Sequence, residues 1–130
     1  MTRSDLDNRL RELGIYSDFY YRKELKALVQ VLGEYEQLNC LLTGVHEANR
    51  KLVAVTDRRI IILLTALGGG DAKIIKRESV KDWRFEKTLL LFSTLTIETK
   101  GGASFTFTNT QGKYRDLFAR AMSQPIPQAD

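Results

Sequence analysis

The chain has 130 residues, 43% hydrophobic and 28% charged, which is the balance of a single globular domain with room for one hydrophobic core. No apolar run approaches the roughly 18 residues needed to span a bilayer, and the charged start MTRSDLDNRL lacks the apolar stretch of a secretory signal. Cys40 is the single cysteine, which excludes an internal disulfide, and together these features lead us to expect a cytoplasmic protein.

The net charge is +4. Residues 1–65 carry ten Lys/Arg against nine Asp/Glu, residues 66–130 carry ten against seven, and six basic residues fall within 73–87 beside three acids. Lys73, Lys76, Arg77, Lys81, Arg84 and Lys87 therefore form a candidate anion-binding surface, with a solvated strand face as the alternative. The excess is milder than the dense basic stripe of a DNA-binding domain, so no nucleic-acid partner is expected.

In chain order, Ser4-x-x-Asp7 reads as a capping box that starts a helix near Asp5, with Leu6, Leu10 and Leu13 on one face and Gly14 as its stop. A second helix begins at Ser17 or Asp18, carries Leu25, Leu28, Val29 and Leu32 as its apolar stripe, and ends at Gly33. Tyr16, Phe19, Tyr20 and Tyr21 cluster between the two and read as packing at a helix corner rather than as an aromatic binding surface. Residues 34–39 form a polar connector. Seven short strand signals follow, at 40–45, 51–56, 59–65, 72–77, 80–87, 91–99 and 103–108, with turns at 46–50, 57–58, 66–71, 78–79, 88–90 and 100–102. Gly68-Gly69-Gly70-Asp71 is a flexible loop in this series, and it lacks the Gly-Lys-Ser/Thr of a P-loop.

The turn at Lys100-Gly101-Gly102 fixes a register. A three-residue loop closed by Thr99 and Ala103, with Gly102 left-handed, pairs Ile97 with Phe105 and Leu95 with Phe107, which keeps the apolar residues on one face. The chain then closes with a helix at 111–123 whose stripe is Tyr114, Leu117, Phe118, Ala121 and Met122, with Asn109 or Thr110 as its N-cap. Pro125 and Pro127 end regular structure, and 124–130 reads as a loose tail.

The central stretch is 51–64, KLVAVTDRRIIILL, a hairpin with Asp57-Arg58 as its loop. Val53 and Val55 pair with Ile62 and Ile60 on one face, and Leu52 and Ala54 pair with Leu63 and Ile61 on the other. Both faces are apolar, and a barrel interior takes only one. Leu52, Ala54, Ile60, Ile61, Ile62 and Leu63 are therefore a candidate packing or association surface. The cover expected for the outer face is the leucine stripes of the first two helices, or a second copy of the chain with two-fold symmetry.

No catalytic constellation stands out. His46 is the only histidine and sits in a turn; with one cysteine it cannot build a usual zinc site, and no metal or cofactor is expected. Cys40 reads as a buried small hydrophobe. Trp83 and Phe85 point to the core, and Arg84 points outward with Asp82 and Glu86. In Thr56-Asp57-Arg58-Arg59, Asp57 takes the tight-turn position and Arg59 can reach a carboxylate at the rim.

Seven short strands closed by an amphipathic helix is the order of a pleckstrin-homology (PH) barrel. The run from Val53 to Leu63, VAVTDRRIIIL, resembles the central hairpin of bacterial PH-like domains, and Leu42-Thr43-Gly44 resembles the Gly-ending first strand that precedes it. The resemblance covers about residues 34–123. It implies an α+β, mainly β fold: a seven-stranded antiparallel β-barrel with a C-terminal amphipathic helix, here with two extra helices in 1–33. A small OB-type barrel is the alternative. The resemblance also implies a non-enzymatic module for binding or assembly. Phosphoinositide-binding members place clustered Lys/Arg at the end of strand 1 and in strand 2, where this chain has only Arg50 and Lys51, beside Glu47. The reading is thus a bacterial cytoplasmic interaction or scaffold module with a protein partner, or alternatively a peripheral binder of anionic membrane surface through the basic strand face.

Overall fold

The computed structural model describes residues 1–64 and 72–127. The loop Gly68-Gly69-Gly70-Asp71, Thr65 and the last three residues of the tail lie outside the described residues.

Helix α1 (Arg3–Glu12) starts two residues earlier than its Ser4 box implied. Thr2 Oγ1 accepts from the Asp5 N–H at 3.1 Å, and the Asp5 carboxylate accepts from the Thr2 N–H at 3.0 Å. Asp7 is engaged elsewhere, 2.9 Å from Arg3 Nε one turn back. At the other end Gly14 takes φ +76°, and the N–H groups of Gly14 and Ile15 return to the carbonyls of Arg11 and Leu10. This is a Schellman stop with its apolar contact, since Leu10 and Ile15 are both buried.

The single second helix expected from the stripe is instead two: α2 (Tyr16–Phe19) and α3 (Glu24–Val31). On one straight helix Phe19 and Leu28 would lie about 180° apart. Both are buried, so the chain bends between them. Phe19 packs on Tyr114, 5.7 Å between rings, while Tyr20 and Tyr21 remain exposed.

The strands are β1 (Leu38–His46), β2 (Asn49–Thr56), β3 (Arg59–Leu64), β4 (Ala72–Lys76), β5 (Val80–Leu89), β6 (Phe92–Thr99) and β7 (Ser104–Gln111). All pairs are antiparallel, in the order β4-β3-β2-β1-β7-β6-β5. The expected registers are present: Val53 faces Ile62, Leu52 faces Leu63, Ile97 faces Phe105 and Leu95 faces Phe107, with Gly102 at φ +93°. The sheet does not close into the expected barrel. β4 and β5 are its two ends, because a 3₁₀ turn at Arg77–Ser79 carries the chain round a corner instead of returning it as a hairpin.

A four-stranded half and a three-stranded half meet where β1 crosses β7 at Val45 and Thr108. Gly44 is required there: a Cβ would lie 2.7 Å from Thr110 Oγ1 and 2.8 Å from Phe107 Cβ. That approach puts Gly44 on the same side as Phe107. Alternation then places Cys40, Leu42, Val53, Val55, Ile60 and Ile62 on the inner face, and Leu41, Leu52, Ala54, Ile61 and Leu63 on the outer.

Helix α4 (Arg115–Ser123) covers the inner side. Its Phe118 ring packs edge-on against Trp83 at 5.1 Å and beside Phe85 at 6.1 Å. The N-cap is Tyr114, after a 3₁₀ turn at Gly112–Tyr114, and not Asn109 or Thr110, which are still in β7. The outer side is covered by the N-terminal helices. Leu6, Leu10, Leu25 and Leu28 have no exposed surface, α3 touches β3, and all belong to one cluster with the hairpin.

Deleting residues 1–33 should therefore uncover the outer face and give an aggregating or more highly associated protein in light scattering; a truncated chain that stayed monomeric and equally stable would refute this cover. Gly44→Ala should cost about 1–3 kcal/mol by overpacking, measured as a lowered urea midpoint with an unchanged slope.

Candidate functional site

The Thr56-Asp57-Arg58-Arg59 corner is a structural lock. The Thr56 hydroxyl accepts from the N–H groups of Arg58 and Arg59 at 3.1 and 3.0 Å and donates to Glu36 Oε2 at 2.6 Å. Arg59 grips both oxygens of Glu36, at 2.7 and 2.8 Å, and donates to the Val31 carbonyl at 2.6 Å. Asp57 exchanges bonds with the Gln37 backbone, its N–H donating at 2.9 Å and its carboxylate accepting at 3.1 Å. Glu36, which the polarity of 34–39 placed in a connector, is buried. Burial alone would raise its carboxyl. The Arg59 guanidinium, the Gly33 N–H and the Thr56 hydroxyl outweigh that and hold it below the ordinary carboxylate value.

The six basic residues do not form one free surface. Arg77 is buried, donating to the carbonyls of Asp57, Met122 and Gln124. Its guanidinium joins the central turn to the end of α4. Arg84 is exposed among three carboxylates: Glu98 at 3.0 Å, Glu86 at 3.3 Å and Asp82 at 3.8 Å. Lys73 lies 5.8 Å from the Phe105 ring, and Lys73, Lys76, Lys81 and Lys87 are exposed on β4 and β5. The second candidate set, Leu52, Ala54, Ile60, Ile61, Ile62 and Leu63, is almost wholly buried by the chain's own helices.

His46 Nδ1 is 3.0 Å from the Thr106 carbonyl and its ring stands beside Phe107. Burial pushes the Cys40 thiol well up, which keeps it protonated and unreactive. Between β1 and β2 the loop is only Glu47-Ala48, and Arg50 reaches Thr43 at 3.2 Å. Among the described residues no group of His, Cys, Asp and Glu could hold a metal ion.

A feature that strand spacing did not reveal stands at the β5–β6 turn. Leu89, Leu90, Leu91 and Phe92 are 68%, 79%, 79% and 41% exposed. Leu89 pairs with Phe92, so Leu90 and Leu91 form the tip, and the Gly112 N–H donates to the Leu91 carbonyl at 2.8 Å. Beside the tip is a cleft of about 380 Å³ lined by Phe85, Leu90, Leu91 and the cations Lys87, Lys113 and Arg115. The signal was present in the sequence: four consecutive large apolar residues fall where a hairpin turn should be polar.

Glu36→Gln should lower stability at neutral pH by about 3 kcal/mol, because Arg59 would be left without its charged partner. The folded carboxyl is depressed, so its contribution is complete above the ordinary glutamate value and is lost as pH falls through the folded one. The difference between wild type and variant should shrink below about pH 4, in urea titrations across pH.

The family described as Bacterial PH domain matches residues 32–122. No curated protein matches the chain. Among solved structures, the C-terminal domain of an unknown protein from Leishmania infantum is similar at 17% identity, with a TM-score of 0.56, over 82% of this chain and 95% of that one. That likeness is one of fold. The matched span takes in the central hairpin, the glycine join and the closing helix, and the chain belongs to the bacterial PH domain family.

Proposed function

We propose that this chain is a non-catalytic docking module that binds its partner through the β5–β6 end of the sheet. PH-like domains in general serve as interaction modules. The observation that carries the reading is the exposure of Leu89, Leu90, Leu91 and Phe92 together at one turn. Each such side chain gains about 1.5–3 kcal/mol on full burial, and a contiguous patch of this kind on a folded chain marks an interaction site. The tip is tied through Gly112 to the 3₁₀ turn that precedes the closing helix, and it lies beside an open cleft.

The alternative through the basic strand face is weaker. Arg77 and Arg84, two of its six members, are engaged with carbonyls and carboxylates. A photo-crosslinking phenylalanine at Leu90 should yield adducts in cells of the native host, and one at the exposed Lys76 should not. Equal labelling from both positions would remove the β5–β6 end as the docking surface.

A further inference from the structure

We propose that the cleft between α1, the start of β1 and α4 is a binding site for a small organic carboxylate, whose oxygen takes the unused hydrogen bond of the Asn39 side chain while Arg120 meets its charge. The site is separate from the β5–β6 turn, since the two clefts share no lining residue. Its volume of about 320 Å³ is at the lower end of the range for small-molecule sites. Asn39 carries the argument. It is 6% exposed and lines this cleft. Arg9 Nη2 donates to its Oδ1 at 2.9 Å, and Arg9 Nε holds the neighbouring Leu38 carbonyl at 2.7 Å. Arg9 thereby fixes which end of the amide is which, because turning it over would set two donors against each other. The end left over is Nδ2, a donor, buried with no hydrogen-bond partner among the described residues. Buried polar side chains normally have a partner, so one that lacks it points to a group from outside the chain.

The other walls define the chemistry of that group. Nδ2 requires an acceptor. Arg120 is exposed and adds a positive charge, and the lining includes no acidic residue. The nearby Glu12 carboxylate is 3.4 Å from Arg9 Nη1 and is not among the walls. Leu13 and Leu117 supply an apolar wall. An anionic acceptor on a short apolar chain matches all three features, whereas inorganic phosphate matches only the acceptor and the charge. The carboxylate that ends a peptide has the same chemistry as that of a free acid. Gln37, Arg120 and Gln124 are exposed side chains of the lining, and their displacement admits the ligand oxygen to Nδ2. Arg9 stays on Asn39 and Leu38 throughout and acts as a positioning residue.

The test is a titration of the ¹⁵N-labelled full chain with 4-methylpentanoate, read by NMR at the Asn39 side-chain amide and at the backbone N–H groups of Ala121 and Gln124. A ligand of this size should bind with a Kd on the order of 1 mM. The shifts should saturate with the acid and be absent with 4-methylpentanamide. A blocked tripeptide ending in leucine with a free carboxylate is the second arm, and the tighter of the two acids identifies the source of the carboxylate. Asn39→Asp keeps an acceptor for Arg9 and removes Nδ2, so it should abolish the backbone shifts. Arg120→Gln changes an exposed side chain, so it should leave the thermal melt unchanged and weaken binding on the order of tenfold. Absence of saturation by about 20 mM of either acid, twenty times that Kd, would overturn the proposal. Equal shifts from the amide or from inorganic phosphate would do the same, as would binding that Arg120→Gln leaves intact. A long-lived water that stays on the Asn39 amide in the saturated sample would assign the unused donor to solvent and overturn it too.

Discussion

Val53 and Val55 point into the fold and Leu52 and Ala54 point away from it, and all four are completely buried. A two-stranded ribbon that is apolar on both sides cannot sit at a surface, and this constraint orders the rest of the chain. The three-stranded half and α4 supply the inner cover through Phe118, Trp83 and Phe85. The helices of 1–33 supply the outer cover through Leu6, Leu10, Leu25 and Leu28. The two covers are also joined to each other, since the Tyr114 hydroxyl donates to Asp18 at 2.9 Å. The Glu36–Arg59 pair connects the outer cover to the hairpin, because Arg59 simultaneously holds the carbonyl that ends α3 and the carboxylate of the connector. A buried pair of this kind fixes position more than it adds stability.

The open sheet gives the charged stretch 73–87 a second physical meaning. β4 and β5 are sheet ends, with unpaired backbone groups that could recruit another strand. β4 is five residues long and carries Lys73 and Lys76, and β5 carries Lys81, Asp82, Arg84, Glu86 and Lys87, all exposed. Exposed charge on both edges, together with the shortness of β4, is a usual protection of such edges. The basic excess seen in the sequence is therefore distributed over two guarded edges rather than gathered into one anion site.

Much of the fold was legible because its signals were local. Strand positions, both hairpin registers and the left-handed Gly102 followed from period and turn chemistry. The Gly14 stop did too, whereas the N-cap moved from Ser4 to Thr2, since two overlapping boxes compete and only the one with its acid free can close. The break between α2 and α3 was not legible, because it depends on Phe19 and Leu28 facing different partners in space. The open barrel was missed for a similar reason: a corner and a hairpin look alike across Arg77-Glu78-Ser79. At the site, composition pointed to basic residues without saying which were already engaged.

That last distinction decides where function can reside. Arginine offers several donors in a planar fork, and here arginines complete the structure: Arg59 on Glu36, Arg77 on three carbonyls, and Arg9 on the Leu38 carbonyl and the Asn39 amide oxygen. A guanidinium bound in this way cannot also meet a ligand without breaking the fold. The cations left to act are those whose neighbours leave them open to solvent, and one group of them surrounds the exposed leucine tip. Charge and apolar surface remain available together at this end of the sheet, whereas the apolar surface of the central hairpin is consumed by folding.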